Sequence, residues 1–327
     1  MEAFLAKWPM LEGSATSLDR HYRGVSPQLL ARVRQNWSVL GIDLDLLWRR
    51  SIQGMPGAAP LVEELSVPDS RPIDLLLLFD QAAIWVDALR DVSSAMRARG
   101  QEGRLSAAQT MALGAVTTRL MSELAAVRMM SLAGLSLPAM QVVRSLSEDV
   151  DLALLLLVRR RHAQSFVDAR SPEEAAAFWR RHVAGGRAFR LVAQALYRFG
   201  LDHGDDSDYA RWRKEVLVFL GTAVHGSFAS VAGSTDAPGR LDSASQECLY
   251  FATTRLQEFC AYALVLGADL RADLAAFEPA SPLEAERRAL LTRGGDIIVD
   301  QMRWMTEDRA AVPGHEPSRE PRRDALH

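Results

Sequence analysis

Along nearly the whole chain the apolar residues recur every three or four positions, and no segment alternates apolar with polar as a half-buried strand would. Such a chain can cover its apolar stripes only by packing helix on helix. The fold class is therefore all-α, a multi-helix bundle. Local punctuation agrees with this. Ser26 and Pro27 form an N-cap with proline at the first helical position, opening a helix that carries Leu30, Val33, Trp37 and Leu40.

After an irregular stretch at 54–72, rich in Gly and Pro, a long helix is predicted over 73–99, stopped by Gly100. Ser106 caps a helix over 107–132. The short connection "GLSLP" at 134–138 then leads into the next helix, which makes the two a central antiparallel hairpin. "SPEE" at 171–174 is a capping box whose helix ends near Gly185 and Gly186, and a further helix runs over 187–199 to Gly200. Helices are also expected over 208–230 and 244–267, and "SPLE" at 281–284 starts a last one reaching about Thr306.

The tail from Ala310 has proline and charge but almost no bulky apolar residue, so it is expected to be disordered. This divides the chain into an N-terminal helical part, 1–105, a central and C-terminal bundle, 106–308, and a tail, 309–327. Nothing requires the first two to be independent domains.

Composition narrows the setting. The formal charge of −3 argues against a whole-protein attraction to nucleic acid or an anionic membrane. The longest apolar runs, 75–79 and 152–158, are far shorter than the roughly 20 residues that span a bilayer. No membrane span or secretory signal is expected. Cys248 and Cys260 share one predicted helix too far apart to bridge, which suits a reducing cytoplasm. Basic residues are almost all Arg, with only Lys7 and Lys214 as exceptions, and they are scattered as a GC-rich coding sequence would scatter them.

One segment carries a conflict. In "VVRSLSEDVDLALLLLV", Arg144, Glu148 and Asp151 fall on one stripe, at about 40° and 20° from the arginine, in a helix otherwise apolar almost all round. Charge on a buried helix is costly unless paired. Arg144 and Glu148 are expected to be largely buried, in a polar cluster that takes in Ser145, Asp151 and a group from another helix. Glu123, beside Arg119, and His225 are the candidates for that group. An exposed i, i+4 pair is the simpler alternative. His225 lies among Gly221, Thr222, Ala223, Gly226 and Ser227, small residues that admit a close neighbour. The other histidines, His21 and His203 among them, read as surface, loop or tail residues.

The run just quoted, preceded by Glu123 and followed by "VHGS", resembles a family of uncharacterised bacterial all-helical proteins, a domain of unknown function. There one helix carries R-S-x-x-E, matched here by Arg144, Ser145 and Glu148, and a later helix carries a histidine, matched by His225. The resemblance covers about residues 107–230 and implies a fold and little else, while a wider likeness, to phage-defence domains, implies a defence or stress role. Such chains are also broadly similar to helical nucleotide-binding domains of prokaryotic toxins and phage-defence effectors, some of them metal-independent ribonucleases. Those place a histidine four to six residues after an arginine. Arg198 and His203 depart from that pattern because Gly200 ends the helix between them.

No phosphate loop, nucleophile elbow or zinc spacing is present, so no cofactor and no metal is expected. The acidic loop at Asp202, Asp205, Asp206 and Asp208 reads as a solvated helix start. The arginines of 159–161, with Arg180, Arg181, Arg187 and Arg190, read as solvated helix ends or as contacts for phosphate or an acidic partner. Two functional classes follow. The first is an interaction or regulatory protein, whose partner is another protein, RNA or a second copy of the chain. The second is an RNA-directed effector, a ribonuclease in which His225 is the general acid or base, Arg144 stabilises developing phosphorane charge and Glu148 completes the site. The first ranks ahead, because no motif demands catalysis.

Overall fold

The computed structural model describes residues 18–52, 71–100, 103–224 and 243–310. In chain order the helices are α1 (Leu18–His21), α2 (Pro27–Val39), α3 (Leu44–Ser51), α4 (Arg71–Ala98), α5 (Ala107–Leu132), α6 (Ser136–Val158) and α7 (Arg160–Asp168). They continue with α8 (Pro172–His182), α9 (Arg187–Tyr197), α10 (Asp208–Val224), α11 (Ser243–Leu266), α12 (Ala268–Ala276) and α13 (Pro282–Ala310). No strand occurs among the described residues.

Four helices make the centre. α4 packs on α5, α5 on α6, α6 on α11 and α11 back on α4, which closes a ring. The α5–α6 hairpin is antiparallel: Gln109 at the start of α5 donates to the carbonyl of Leu157 at the end of α6, at 2.7 Å. Leu146, Val150, Leu154 and Leu157 of α6 are buried. The hairpin shares the centre with α4, which is buried from Pro72 to Leu89 without a break. α13 covers α4 and α11, while α9 and α10 lie against α6. Because α4 belongs to the first 105 residues and its partners do not, one continuous core spans the boundary expected there.

The start and stop chemistry was well marked. Ser106 with Gln109, and Ser171 with Glu174, both close full capping boxes. Gly100 (φ 58°) and Gly200 (φ 80°) take left-handed conformations where their helices stop. The exceptions are informative. The helix of α6 does not run on into the arginines, because Arg159 is extended (φ −123°, ψ 91°), and a separate helix, α7, follows. α12 was not anticipated either. The expected helix 208–230 is described only to Val224, and the connection beyond it and the tail lie outside the described residues.

Within this core sits a sealed ionic cluster. Arg128 of α5 and Asp80 of α4 are both fully buried, with Arg128 Nε donating to both carboxylate oxygens at 3.0 and 3.1 Å. Arg128 Nη2 donates to Nε2 of His21 at 2.8 Å. Tyr22 donates its hydroxyl to Asp80 and accepts from the Trp48 indole at 2.8 Å. This corrects the expectation that His21 is a surface residue. α1 is folded onto the core so that its histidine is buried, and burial together with the Arg128 charge lowers the His21 pKa to about 3. The ring is thus neutral, with Nε2 free to accept.

Two stability measurements check this account. Leu154→Ala, which empties space at a fully packed position, is expected to cost about 2–5 kcal/mol in urea unfolding. Asp80→Asn, which leaves the Arg128 charge buried without its counter-ion, is expected to cost about 3–5 kcal/mol. An unchanged midpoint in either variant would contradict the packing described.

Candidate functional site

The α6 stripe singled out by its charge divides among three environments. Asp151 points into the protein between α10 and α11. Its Oδ1 accepts from Arg255 Nη2 at 2.5 Å and its Oδ2 from Arg213. Arg255 also pairs with Glu258 and donates to the Tyr209 hydroxyl at 2.8 Å, and Tyr209 in turn donates to Glu258 at 2.6 Å. All four ionic side chains are at most 7% exposed. Two carboxylates face two guanidiniums, so the cluster is neutral as a whole, which is how buried charge is tolerated.

His203 continues the cluster outward. It stacks on Tyr209 with ring centroids 4.1 Å apart, and its Nε2 is 2.8 Å from the Tyr262 hydroxyl. His203 is therefore buried, against the expectation of a loop residue, because the chain after Gly200 turns back over α11.

Ser145 faces the hairpin partner. Its hydroxyl donates to Glu123 at 2.7 Å and accepts from Arg119 at 2.9 Å, and Arg119 Nε is 2.8 Å from Asp149. Glu123 and Asp149 are close enough to share a proton. Burial, reinforced by the Glu123 charge, pushes the Asp149 carboxyl up to about 7.

Arg144 and Glu148 are half-buried rather than buried, and they line an open cavity of about 820 Å³ between α6, α9 and α10. α10 presents Ala210, Arg213, Lys214, Leu217, Val218, Gly221 and Thr222 to it, a helical stripe at three- and four-residue spacing. Arg144 lies along that stripe, its Nη1 donating to the Leu217 carbonyl at 3.4 Å. A Cβ on Gly221 would come within 2.8 Å of the same nitrogen, so the glycine provides the space the guanidinium occupies. Glu148 has no hydrogen bond or ion pair among the described residues. Burial raises its pKa, and the Arg144 charge opposes that rise.

The remaining wall is the start of α9. Gly185 (φ 65°) and Gly186 (φ 72°) are both left-handed, and no side chain caps the helix. Arg190 folds back, its Nη1 donating to the Gly185 carbonyl at 3.0 Å. Phe189 supports the Arg213 guanidinium at 4.0 Å from its ring centroid. Four cations (Arg144, Arg190, Arg213 and Lys214) thus line the cavity against two carboxylates, Glu148 and Asp205.

Of the residues singled out in the sequence, Arg144 and Glu148 come together in the cavity, Glu123 and Ser145 in the hairpin cluster and Asp151 in the buried one. His225 lies outside the described residues. Among the described residues no group of three or more His, Cys, Asp or Glu is placed to hold a metal ion. No helix of the described residues is long and apolar enough to cross a membrane. Comparison with protein-family models, curated proteins and solved structures gives no match to this chain.

The Asp149 position offers a pH test. A carboxyl whose pKa is raised on folding stabilises below its unfolded value and loses that contribution as pH climbs through about 7. Asp149→Asn, which keeps the shape and removes the charge, should gain relative to the native chain by roughly 1–3 kcal/mol on going from pH 5 to pH 8. Urea midpoints at the two pH values measure this, and equal differences would exclude the raised carboxyl.

Proposed function

We propose that this is a non-enzymatic binding protein of the interaction or regulatory kind, whose recognition site for an anionic group is the cavity between α6, α9 and α10. The observation that carries the reading is that Arg144, Arg190 and Lys214 reach the cavity wall with no salt bridge to a described carboxylate. Some exposed arginines elsewhere in the fold find such partners, as Arg160 does in Asp269 and Arg99 in Glu284, and others, such as Arg181 and Arg271, form no salt bridge among the described residues; what sets these three cations apart is that they gather around one concave space. Cations gathered around a concave space without counter-ions attract an anion to it. The resemblance to the helical R-S-x-x-E family belongs to this proposal, supported by Arg144 and Glu148, which line the cavity together. A reducing, cytoplasmic setting is supported by Cys248 and Cys260, which are buried with no disulfide between them.

The RNA-directed alternative draws support from one observation, that Arg144 and Glu148 open onto a cavity rather than being sealed. It needs a histidine, and His225 lies outside the described residues.

Two assays separate the readings. Anilinonaphthalene sulfonate, an apolar dye with one anionic group, is expected to show a saturable fluorescence gain that falls at high salt and is lost in Arg144→Glu. Total RNA incubated with the protein is expected to stay full length. A dye response indifferent to Arg144→Glu would sink the binding site, and RNA loss abolished by Glu148→Gln would establish the ribonuclease instead.

A further inference from the structure

The cavity is larger than a single ion needs. At about 820 Å³ it falls in the range of small-molecule sites. Its lining is divided: Arg190, the helix start and the Asp205 carboxylate toward α9, Glu148 with Arg144 on the α6 side, and Arg213, Lys214, Leu217 and Val218 on α10.

The α9 side has two features of an anion site that arise independently. One is the helix itself, 11 residues long, whose N-cap is a left-handed glycine with no capping side chain; the Arg187 N–H donates to the Val183 carbonyl at 3.2 Å, and the next N–H groups have no side-chain partner. The other is Arg213. It is 6% exposed and lines the cavity, yet its Nε–H has no acceptor among the described residues. Asp151 engages only its Nη2, and Phe189 in the first turn of α9 lies flat against it. That Nε is itself enclosed, so what Arg213 brings to the cavity wall is a guanidinium held in place by Asp151 and Phe189.

We propose, resting on the anion-binding reading above, that the cavity takes a small phosphate monoester. Its phosphoryl group sits at the N-terminus of α9 among Arg190, Arg213 and Lys214, and a hydroxyl of its body donates to Glu148. A phosphoryl group suits this end better than a carboxylate does. It brings close to two negative charges and three acceptor oxygens near neutral pH, to meet three cations and the uncapped N–H groups. Glu148 is the only carboxylate on the α6 side of the cavity and has no donor of its own among the described residues. It therefore selects a molecule that carries a hydroxyl over bare phosphate. Leu217 and Val218 give the carbon skeleton an apolar wall.

Isothermal titration of the full chain with inorganic phosphate, glycerol 3-phosphate, succinate and a single-stranded RNA 20-mer tests this. Glycerol 3-phosphate is expected to bind more tightly than inorganic phosphate, and both more tightly than succinate. Arg190→Ala and Lys214→Ala remove exposed side chains, so folding is preserved. Each is expected to weaken the ester about tenfold, the loss of one charge-assisted hydrogen bond. Glu148→Gln is expected to erase the ester's advantage over inorganic phosphate. Arg160→Ala, whose side chain lies on α7 away from the cavity, is expected to bind as the native chain does.

Succinate binding as well as the ester, with the same dependence on Arg190 and Lys214, would overturn the phosphate assignment and leave anion recognition standing. No saturable binding of any of the four would overturn both. RNA binding that glycerol 3-phosphate does not displace would assign the cavity to nucleic acid, and an ester affinity unchanged in Arg190→Ala and Lys214→Ala would place the ligand elsewhere.

Discussion

Asp151 is the carboxylate on which the working face of this protein depends. Among the described residues it is the one acidic group of α6 that reaches both α10 and α11, and it holds one arginine from each. Taking such a cluster out of water is expensive, and pairing recovers that cost only when every charge is matched. Here it is matched, two against two, with Tyr209 bridging Arg255 and Glu258. The geometry that achieves this also fixes how far α10 stands from α6. That spacing leaves the cavity open above the cluster and sets Arg213 in its wall.

The second buried cluster, around Asp80 and Arg128, is built from the same chemistry with a different outcome. Both ions are fully enclosed, and every neighbour, His21, Tyr22 and Trp48, is engaged by hydrogen bonds within the cluster. It fastens α1 and α3 to the ring of central helices, with both ions fully enclosed. In the Asp151 cluster, by contrast, the Nε donors of Arg213 and Arg255 have no acceptor among the described residues. A sealed ionic cluster specifies how elements dock. The Asp151 cluster differs in lying beside a cavity that Arg213 helps to line, although those two Nε donors are themselves enclosed.

The helices were legible because their signals are local. Ser106 and Ser171, each with a Glu or Gln three residues on, mark starts that depend on nothing distant. The break at Arg159 was not legible, since the chain passes from apolar to basic there without Gly or Pro. The charged stripe of α6 was visible from spacing alone, but its division was not. Asp151 meets Arg255 across 104 residues and Arg213 across 62, distances over which periodicity carries no information. Asp80 and Arg128 could have been found by the reasoning applied to Arg144, since each is the one charge in an otherwise largely apolar stretch, 75–86 and 124–132. His21 was misplaced because its helix has four residues, too short for an apolar stripe to show which side faces inward.

The cations of the cavity are harder to explain by stability than by binding. A folded chain gains little from exposed arginines and loses something by gathering like charges, so where such groups serve the fold they have partners. Arg144, Arg190 and Lys214 have none of that kind, although Glu148 lies one turn from Arg144 on the same helix and forms no ion pair with it. Instead the backbone accommodates them: Gly221 leaves room for one guanidinium, and the Gly185 carbonyl holds another. Backbone acceptors orient a cation without neutralising it. Arg213, fixed from behind by Asp151 and from below by Phe189, cannot move away. Groups oriented in advance and still charged bind an anion without first having to be ordered, which lowers the entropic cost of association. The interior ion pairs thus do more than hold three helices in register: they set the spacing of α6 and α10 at which Arg144 and Lys214 face one space, while Arg213, neutralised by Asp151, gives that wall its rigidity.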